Sequence, residues 1–262
     1  MAVVKKRSTL TIWGGDVIFA IFLREIKSKF NDKLGVSWSV ISPVAFIMIL
    51  SLMRGKMDGG ETHGVPTFFF MVYGMVLVQM FLSTVSAVSS SITRNKALFA
   101  FRQVQPISSV IAIAGFELLS KIFVLLIIFI IAYFLHMDVH LSDPLLALSN
   151  LIQVWLIATS LGLIFALGHS FVPEVEKLRS LAMRPMFFIS GTFFSLQDIP
   201  KTHWHWLDWN PVLHAVELTR FSAYSSYGSV GVSQAYLAVC CLLLLLLSLS
   251  LYQILWKQAI SR

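Results

Sequence analysis

Charge is what this sequence has least of. Asp, Glu, Lys and Arg make up only 13% of its 262 residues, 57% are hydrophobic, and the mean hydropathy is +0.79. Soluble domains carry about a quarter charged residues, so a water-surrounded core is excluded and the bilayer is the expected solvent. Cysteine is nearly absent. Cys240 and Cys241 are neighbours in an apolar run, which excludes a disulfide framework and leaves them as small lipid- or core-facing residues. No nucleotide-binding loop of the form G-x-x-x-x-G-K-S/T occurs, because Gly55-Lys56-Met57 lacks both the glycine-rich lead and the hydroxyl. His203 and His205, with Asp198 and Asp208 nearby, suit a wet interface better than a metal. No nucleophile stands beside a base, and no series of acids and histidines offers coupling to an ion gradient. The chain reads as a non-enzyme with no metal or cofactor of its own; if it moves something, the energy comes from another subunit.

Long apolar runs dominate what remains. A window of about 19 residues marks spans at 36–53, 66–91, 107–136, 145–171, 181–197 and 234–256, the fifth at the lower limit of length. With the N-terminus inside, cytoplasmic segments hold Lys5, Lys6, Arg7, Arg24, Lys27, Lys29, Lys33, Arg94, Lys96, Arg102, Lys177, Arg179, Arg184, Lys257 and Arg262. That is 15 of the 20 Lys and Arg residues. Arg54, Lys56, Lys201 and Arg220 fall outside, and Lys121 lies within the third span. Both ends therefore face the cytoplasm, and the net charge of +7 is a topology signal rather than a nucleic-acid footprint.

Asp16 interrupts the first apolar stretch, and Arg24, Glu25 and Lys27 follow without a small-residue cleavage site, so a cleaved signal is not expected. Phe19, Leu23, Ile26 and Phe30 instead form one helical stripe opposite Arg24, Lys27, Ser28 and Asn31, the pattern of a helix lying in the inner interface. After the second span, ITRNKALFAFRQVQP reads either as a solvated turn or as a knob for a cytoplasmic partner. In the second case Leu98 and Phe99 insert, flanked by Arg94 and Lys96. VPEVEKLRSLAMRP is a weaker second contact. Glu117 and Lys121, at i and i+4 with the acid first, form either a structural intramembrane pair or part of a pathway.

SGTFFSLQDIPKTHWHWLDWNPVLHAVELTR (190–220) is too polar for an ordinary span and too apolar for an ordinary loop. This stretch, REIKSKFNDKLGVSWSVISP (24–43) and TRNKALFAFRQVQP (93–106) together resemble ABC-transporter permeases of the type-2 polysaccharide-export class. The similarity is strongest to the inner-membrane permeases of Gram-negative capsular export; Phe30 stands where many relatives carry tyrosine. The resemblance implies one all-α polytopic membrane domain, 1–262. It would comprise an interfacial amphipathic helix in 1–33, a six-span bundle over 36–256, and a re-entrant helical hairpin at 198–228 acting as an outer gate. It implies a homodimer in the bacterial inner membrane, two copies of a P-loop ATPase holding ATP and Mg, periplasmic and outer-membrane export partners, and a polysaccharide substrate.

Coupling to the ATPase would fall to Arg94, Asn95, Lys96, Leu98 and Phe99, with Arg24 and Lys27 of the interfacial helix. Canal and gate candidates are Tyr73, Gln79, Ser83, Ser86, Phe187, Phe188, Ser190, Phe193, Phe194, Trp204, Trp209, Asn210, Glu217 and Arg220. Asn210-Pro211 would break the hairpin at its deepest point. Glu217 and Arg220 would pair or meet the polymer. Trp204, Trp206 and Trp209 read either as an outer aromatic belt or as rings for sugars. The alternatives are a permease of the same type for another polymer (O-antigen, teichoic acid) or for lipids or drugs, and, from another class, a membrane scaffold or ion-coupled carrier.

Overall fold

A computed structural model describes residues 15–30, 35–57, 59–100 and 104–261, without the side chains of 29–30, 35–40, 57 and 260–261. Lys5, Lys6, Arg7, Asn31, Lys33, Arg102 and Arg262, and the side chains of Lys29 and Phe30, lie outside this set.

The helices are α1 (Gly15–Phe30), α2 (Gly35–Met57), α3 (Thr67–Ser89), α4 (Ser91–Arg94), α5 (Pro106–Phe134), α6 (Pro144–Phe171), α7 (Val175–Ile189), α8 (Pro211–Ala223) and α9 (Gln234–Ser261). Between α2 and α3 a small antiparallel hairpin pairs β1 (Glu61–Thr62) with β2 (Val65–Pro66). Single 3-10 turns follow α4 at Lys96–Ala100 and punctuate the stretch before α8 at Leu196–Asp198 and Lys201–Trp206. Three helices begin with proline in the first turn, where its missing N–H costs nothing. In α6 the Asp143 carboxylate accepts from Leu146 N at 3.0 Å, an N-terminal cap.

Among the described residues, four helices are long and apolar enough to cross a membrane: α3, α5, α6 and α9. The apolar core of α3 is 83% buried and that of α9 only 17%, so α3 is the centre of the bundle and α9 its flank. α3 packs on α2, α5, α6 and α8, while α6 joins it to α9. α3 and α6 approach closely at Gly162, where an added Cβ would sit 2.7 Å from Val88 Cβ. Small residues allow this approach in a bilayer, where dispersion rather than the hydrophobic effect holds helices together. Gly162→Val should therefore separate α3 from α6 and destabilise the detergent-solubilised protein by about 1–3 kcal/mol. A melting curve superimposable on the unsubstituted protein's would contradict that contact.

Of the six predicted spans, the first, helical as α2, and the fifth are not among these four, and the fifth is also broken. Instead of a helix over 181–197, α7 ends at Ile189 after 15 residues, a length of about 22 Å against the ~30 Å of a hydrocarbon core. Gly191 then takes φ +72°, a left-handed conformation open to glycine, and residues 190–195 run without helix. The segment beyond is anchored twice to one hairpin. His63 Nε2 donates to Asp198 Oδ1 at 2.6 Å, and Ser226 Oγ donates to Gly64 O at 3.4 Å. The chain from 198 to 226 thus leaves and returns at the same end of the bundle.

Asp198 carries a pH dependence. Burial pushes its carboxyl up, but hydrogen bonds from the Ser195 backbone and His63, with the charges of His63 and Arg54, hold it below the ordinary aspartate value. A depressed carboxyl stabilises the fold fully above its unfolded value of about 3.9 and loses that contribution as pH falls through the folded one. The hairpin contact should therefore hold at neutral pH and open only in strong acid. Asp198→Asn should flatten the acid limb of protease accessibility around residues 61–66; an unchanged limb would assign it to another group.

Candidate functional site

The broken end of α7 shows how this fold keeps non-helical backbone in an apolar setting. Such backbone survives only if its polar groups find partners inside the protein. Arg220, on α8, supplies them. Nη2 donates to Gly191 O (2.7 Å) and Thr192 O (3.3 Å), Nη1 to Phe194 O (3.2 Å), and Nε to Phe70 O on α3 (3.1 Å). Nη1 also donates to Glu217 Oε1 at 3.0 Å, and the guanidinium lies 3.4 Å from the centre of the Phe70 ring. Glu217 is satisfied on its other oxygen by Tyr227 OH (2.8 Å) and Ser195 Oγ (3.2 Å). Arg220 is 0% and Glu217 1% exposed. Of the two sequence expectations for this pair, the structure has the pairing; neither side chain offers a surface to a polymer. Gly74 leaves the room, since a Cβ there would meet Arg220 Nη2 at 2.7 Å.

Asn210 is a second tie. Its Oδ1 accepts from Val212 N at 3.0 Å and caps α8, while Nδ2 donates to Ser190 Oγ (3.0 Å) and to the last carbonyl of α7, Ile189 O (3.3 Å). One side chain therefore serves the end of one helix and the start of the next. Ser190 is buried beside it. The Asn210-Pro211 break expected from the sequence is a capped helix start.

The remaining canal candidates fall on different faces. Phe187, Phe188 and Phe193 join Phe46 of α2 in one aromatic cluster. The Phe187 ring lies 5.4 Å from Phe188, 5.4 Å from Phe193 and 6.2 Å from Phe46. Phe188 is 62% and Phe46 44% exposed, so this wall faces outward from the protomer. Phe194 is half-buried and gives its carbonyl to Arg220. Tyr73 is elsewhere: it donates to His140 O at 3.3 Å and borders an apolar crevice of about 200 Å³ with Leu125, Phe129 and Leu148. Gln79, Ser83 and Ser86 share a third face of α3 by their spacing.

The tryptophans separate too. Trp204 is half-buried, donates to Ile199 O at 2.8 Å, and packs where a Cβ on Gly231 would strike its ring at 2.5 Å. It is a packing residue. Trp206 and Trp209 are exposed, with Trp209 Nε1 donating to Trp206 O at 2.8 Å. Sequence reasoning missed Tyr227 and Ser195; the signal available was the Glu217–Arg220 spacing, which demands buried partners once both residues are enclosed.

Beyond the C-terminal end of α3, α4 and the 3-10 turn at Lys96–Ala100 carry the coupling candidates. Asn95 is buried, donates to Ser91 O at 2.8 Å, and accepts from Arg24 of α1. Phe99 is turned into the bundle against Ile92, Val110 and Ile113 rather than outward, a correction to its expected insertion into a partner. Leu98 is half-buried, and Arg94, Lys96 and Lys27 are exposed. α1 rests on α5 through Phe22 and Phe116 (6.3 Å) and leaves Phe19 and Leu23 exposed. Glu117 and Lys121 are both buried, one turn apart on α5.

Comparison with known proteins adds a direct finding. The profile of the ABC-2 type transporter family matches residues 16–224. The polysialic acid transport protein KpsM of Escherichia coli is 32% identical over 239 residues, covering 89% of this chain and 91% of that protein. The capsule polysaccharide export inner-membrane proteins CtrC of Neisseria meningitidis (24% over 243 residues, 89% of each chain) and BexB of Haemophilus influenzae (22% over 249 residues, 90% and 89%) match similarly.

Proposed function

The chain belongs to the ABC-2 type transporter family, and from that premise we propose that it is the permease subunit of an exporter carrying capsular polysaccharide across the bacterial inner membrane. The observation that carries the substrate class is the near full-length correspondence with proteins named for polysialic acid or capsule polysaccharide transport. Six spans are formed by α2, α3, α5, α6, α7 with its non-helical continuation, and α9, both termini being cytoplasmic. Residues 198–226 dip into the membrane from outside and return as the outer gate. Support for that reading comes from the shared anchoring of both ends on the 61–66 hairpin and from α8, whose 13 residues reach only about 20 Å.

Two copies face each other across a canal. A hydroxyl-rich polymer suits a wall of rings whose faces pack sugar C–H groups without holding them by charge, and exposed Phe46 and Phe188, backed by half-buried Phe187 and Phe193, supply such a wall. Two copies of a P-loop ATPase dock below and hold ATP and Mg. Their movement reaches the membrane through the 91–100 segment, which the Arg24–Asn95 contact ties to the interfacial helix. The Arg220 hub fastens the gate to α3, so a tilt of α3 moves the gate with it.

Deleting the gene from its host and restoring it tests the reading. Capsular polymer should accumulate in the cytoplasm and leave the cell again on complementation, and gentle detergent should bring down a P-loop ATPase with the chain. Normal surface capsule in the deletion strain would overturn the assignment.

A further inference from the structure

α7 has two faces of opposite character. Met183, Met186 and Phe187 pack on the apolar cluster of α3, α6, α8 and α9, and Arg179 is buried on the same side, where Nε donates to Glu176 Oε2 at 3.1 Å. At about 100° per residue, the opposite side brings Lys177, Leu181, Arg184 and Phe188 into one line, within an arc of about 60°. All four are exposed, Leu181 at 65% and Phe188 at 62%. Among the described residues, the side chains of Lys177 and Arg184 take part in no ion pair or hydrogen bond. Phe188 stacks on Phe193 with ring centres 6.1 Å apart, so the stripe runs from the first turn of α7 into the ring wall, a rise of about 16 Å. Pro185, also exposed, has no N–H to give, so the Leu181 carbonyl one turn earlier lacks its helical donor.

An unpaired guanidinium about 14 Å along this helix is costly against lipid and cheap against water, which makes the stripe a wall of an aqueous route. Its chemistry names the occupant. The arginine fork fits a carboxylate or phosphate and the lysine ammonium is a compact point charge. The freed carbonyl accepts from a hydroxyl, and the ring faces pack C–H groups. A sugar polymer with repeated anionic groups satisfies all of these together. We propose that Lys177 and Arg184 are specificity-determining residues, which take the acid groups of an anionic polysaccharide at the inner mouth and pass the chain along this stripe to Phe188. The direction of travel rests on the export reading; the preference for acid groups rests on the stripe itself.

Binding of fluorescently tagged oligogalacturonate to the full chain in phosphatidylcholine nanodiscs tests this, against the same oligomer with its carboxyls reduced to alcohols. At low salt the anionic oligomer should bind roughly tenfold more tightly than the neutral one, the size of a charge-assisted hydrogen bond. Lys177→Gln with Arg184→Gln should bring the ratio close to one without weakening the neutral oligomer, and exposed positions should leave melting unchanged. Leu181→Glu, which adds an acid to the stripe and removes no cation, should push the ratio below one. Phe188→Ala should weaken both oligomers by the same factor. A ratio near one in the unsubstituted protein, or one unchanged in both charge variants, would overturn the assignment. Phosphatidylglycerol retained over phosphatidylcholine by the unsubstituted chain but not by the double variant would give the face to lipid instead, and loss of a dimer in that variant would give it to a second copy. None of these outcomes depends on capsule export, so the two proposals fail separately.

Discussion

Replacing Arg220 with methionine is expected to remove the folded protein from the membrane rather than merely slow it. The guanidinium serves four backbone carbonyls on two elements and neutralises a carboxylate that is 1% exposed. Breaking a buried pair by removing one partner costs about 3–5 kcal/mol, and each carbonyl left without a donor adds about 1–3 kcal/mol. The sum, about 7–17 kcal/mol, is comparable to the 5–15 kcal/mol by which proteins are usually stable. Arg220→Lys should rescue little, because an ammonium on a flexible stem cannot present the planar fork. Arg220→Met with Glu217→Gln should rescue partially, by relieving the stranded charge while the carbonyls stay unpaired. The measurement is the yield of monodisperse protein by size exclusion and its melting temperature. Unimpaired yield and melting of Arg220→Met would show that residues 190–195 are held by something else.

The second large effect is on coupling, at the opposite end of the molecule. Lys27→Glu combined with Lys96→Glu reverses two exposed cations, one on α1 and one in the 3-10 turn after α4. Exposed substitutions away from packing usually change stability by less than about 0.5 kcal/mol, so insertion and melting should be preserved. Capture of the ATPase and surface capsule should each fall by roughly tenfold or more, since reversed charges across an interface cost several kcal/mol. Phe99→Asp gives the contrast. It places a charge in an apolar cluster and should be lost as unfolded protein, whereas a partner-facing Phe99 would give stable protein that fails to couple. Export unchanged in the Lys27→Glu, Lys96→Glu double variant would remove the coupling role from this surface.

Much of the bundle was legible in the sequence because hydropathy is a local property. The expected windows 66–91, 107–136 and 145–171 correspond to helices at 67–89, 106–134 and 144–171. The 181–197 window failed for a non-local reason. Its composition is continuous, but the helix is stopped by a left-handed Gly191 and the freed carbonyls are taken by Arg220, about thirty residues further on. No window of ordinary length contains both. Phe99 was misread for a related reason: an aromatic in a basic loop looks the same whether it turns outward or joins Ile92, Val110 and Ile113. The Glu217–Arg220 spacing, in contrast, offered a pair as one of two readings, because i and i+3 bring the two groups onto one face. The canal candidates were chosen by chemistry, and chemistry alone could not sort Tyr73 and Phe188 onto separate faces.

The central claim is that residues 198–226 enter and leave the membrane at its outer face. It is tested most directly with Cys240 and Cys241 changed to serine and single cysteines introduced as His203→Cys, Ser226→Cys or Lys257→Cys in intact spheroplasts. An impermeant thiol reagent should label the first two variants from outside and reach the third only after the membrane is opened. Labelling of the 203 and 226 positions from opposite sides, or of position 257 from outside, would contradict the account.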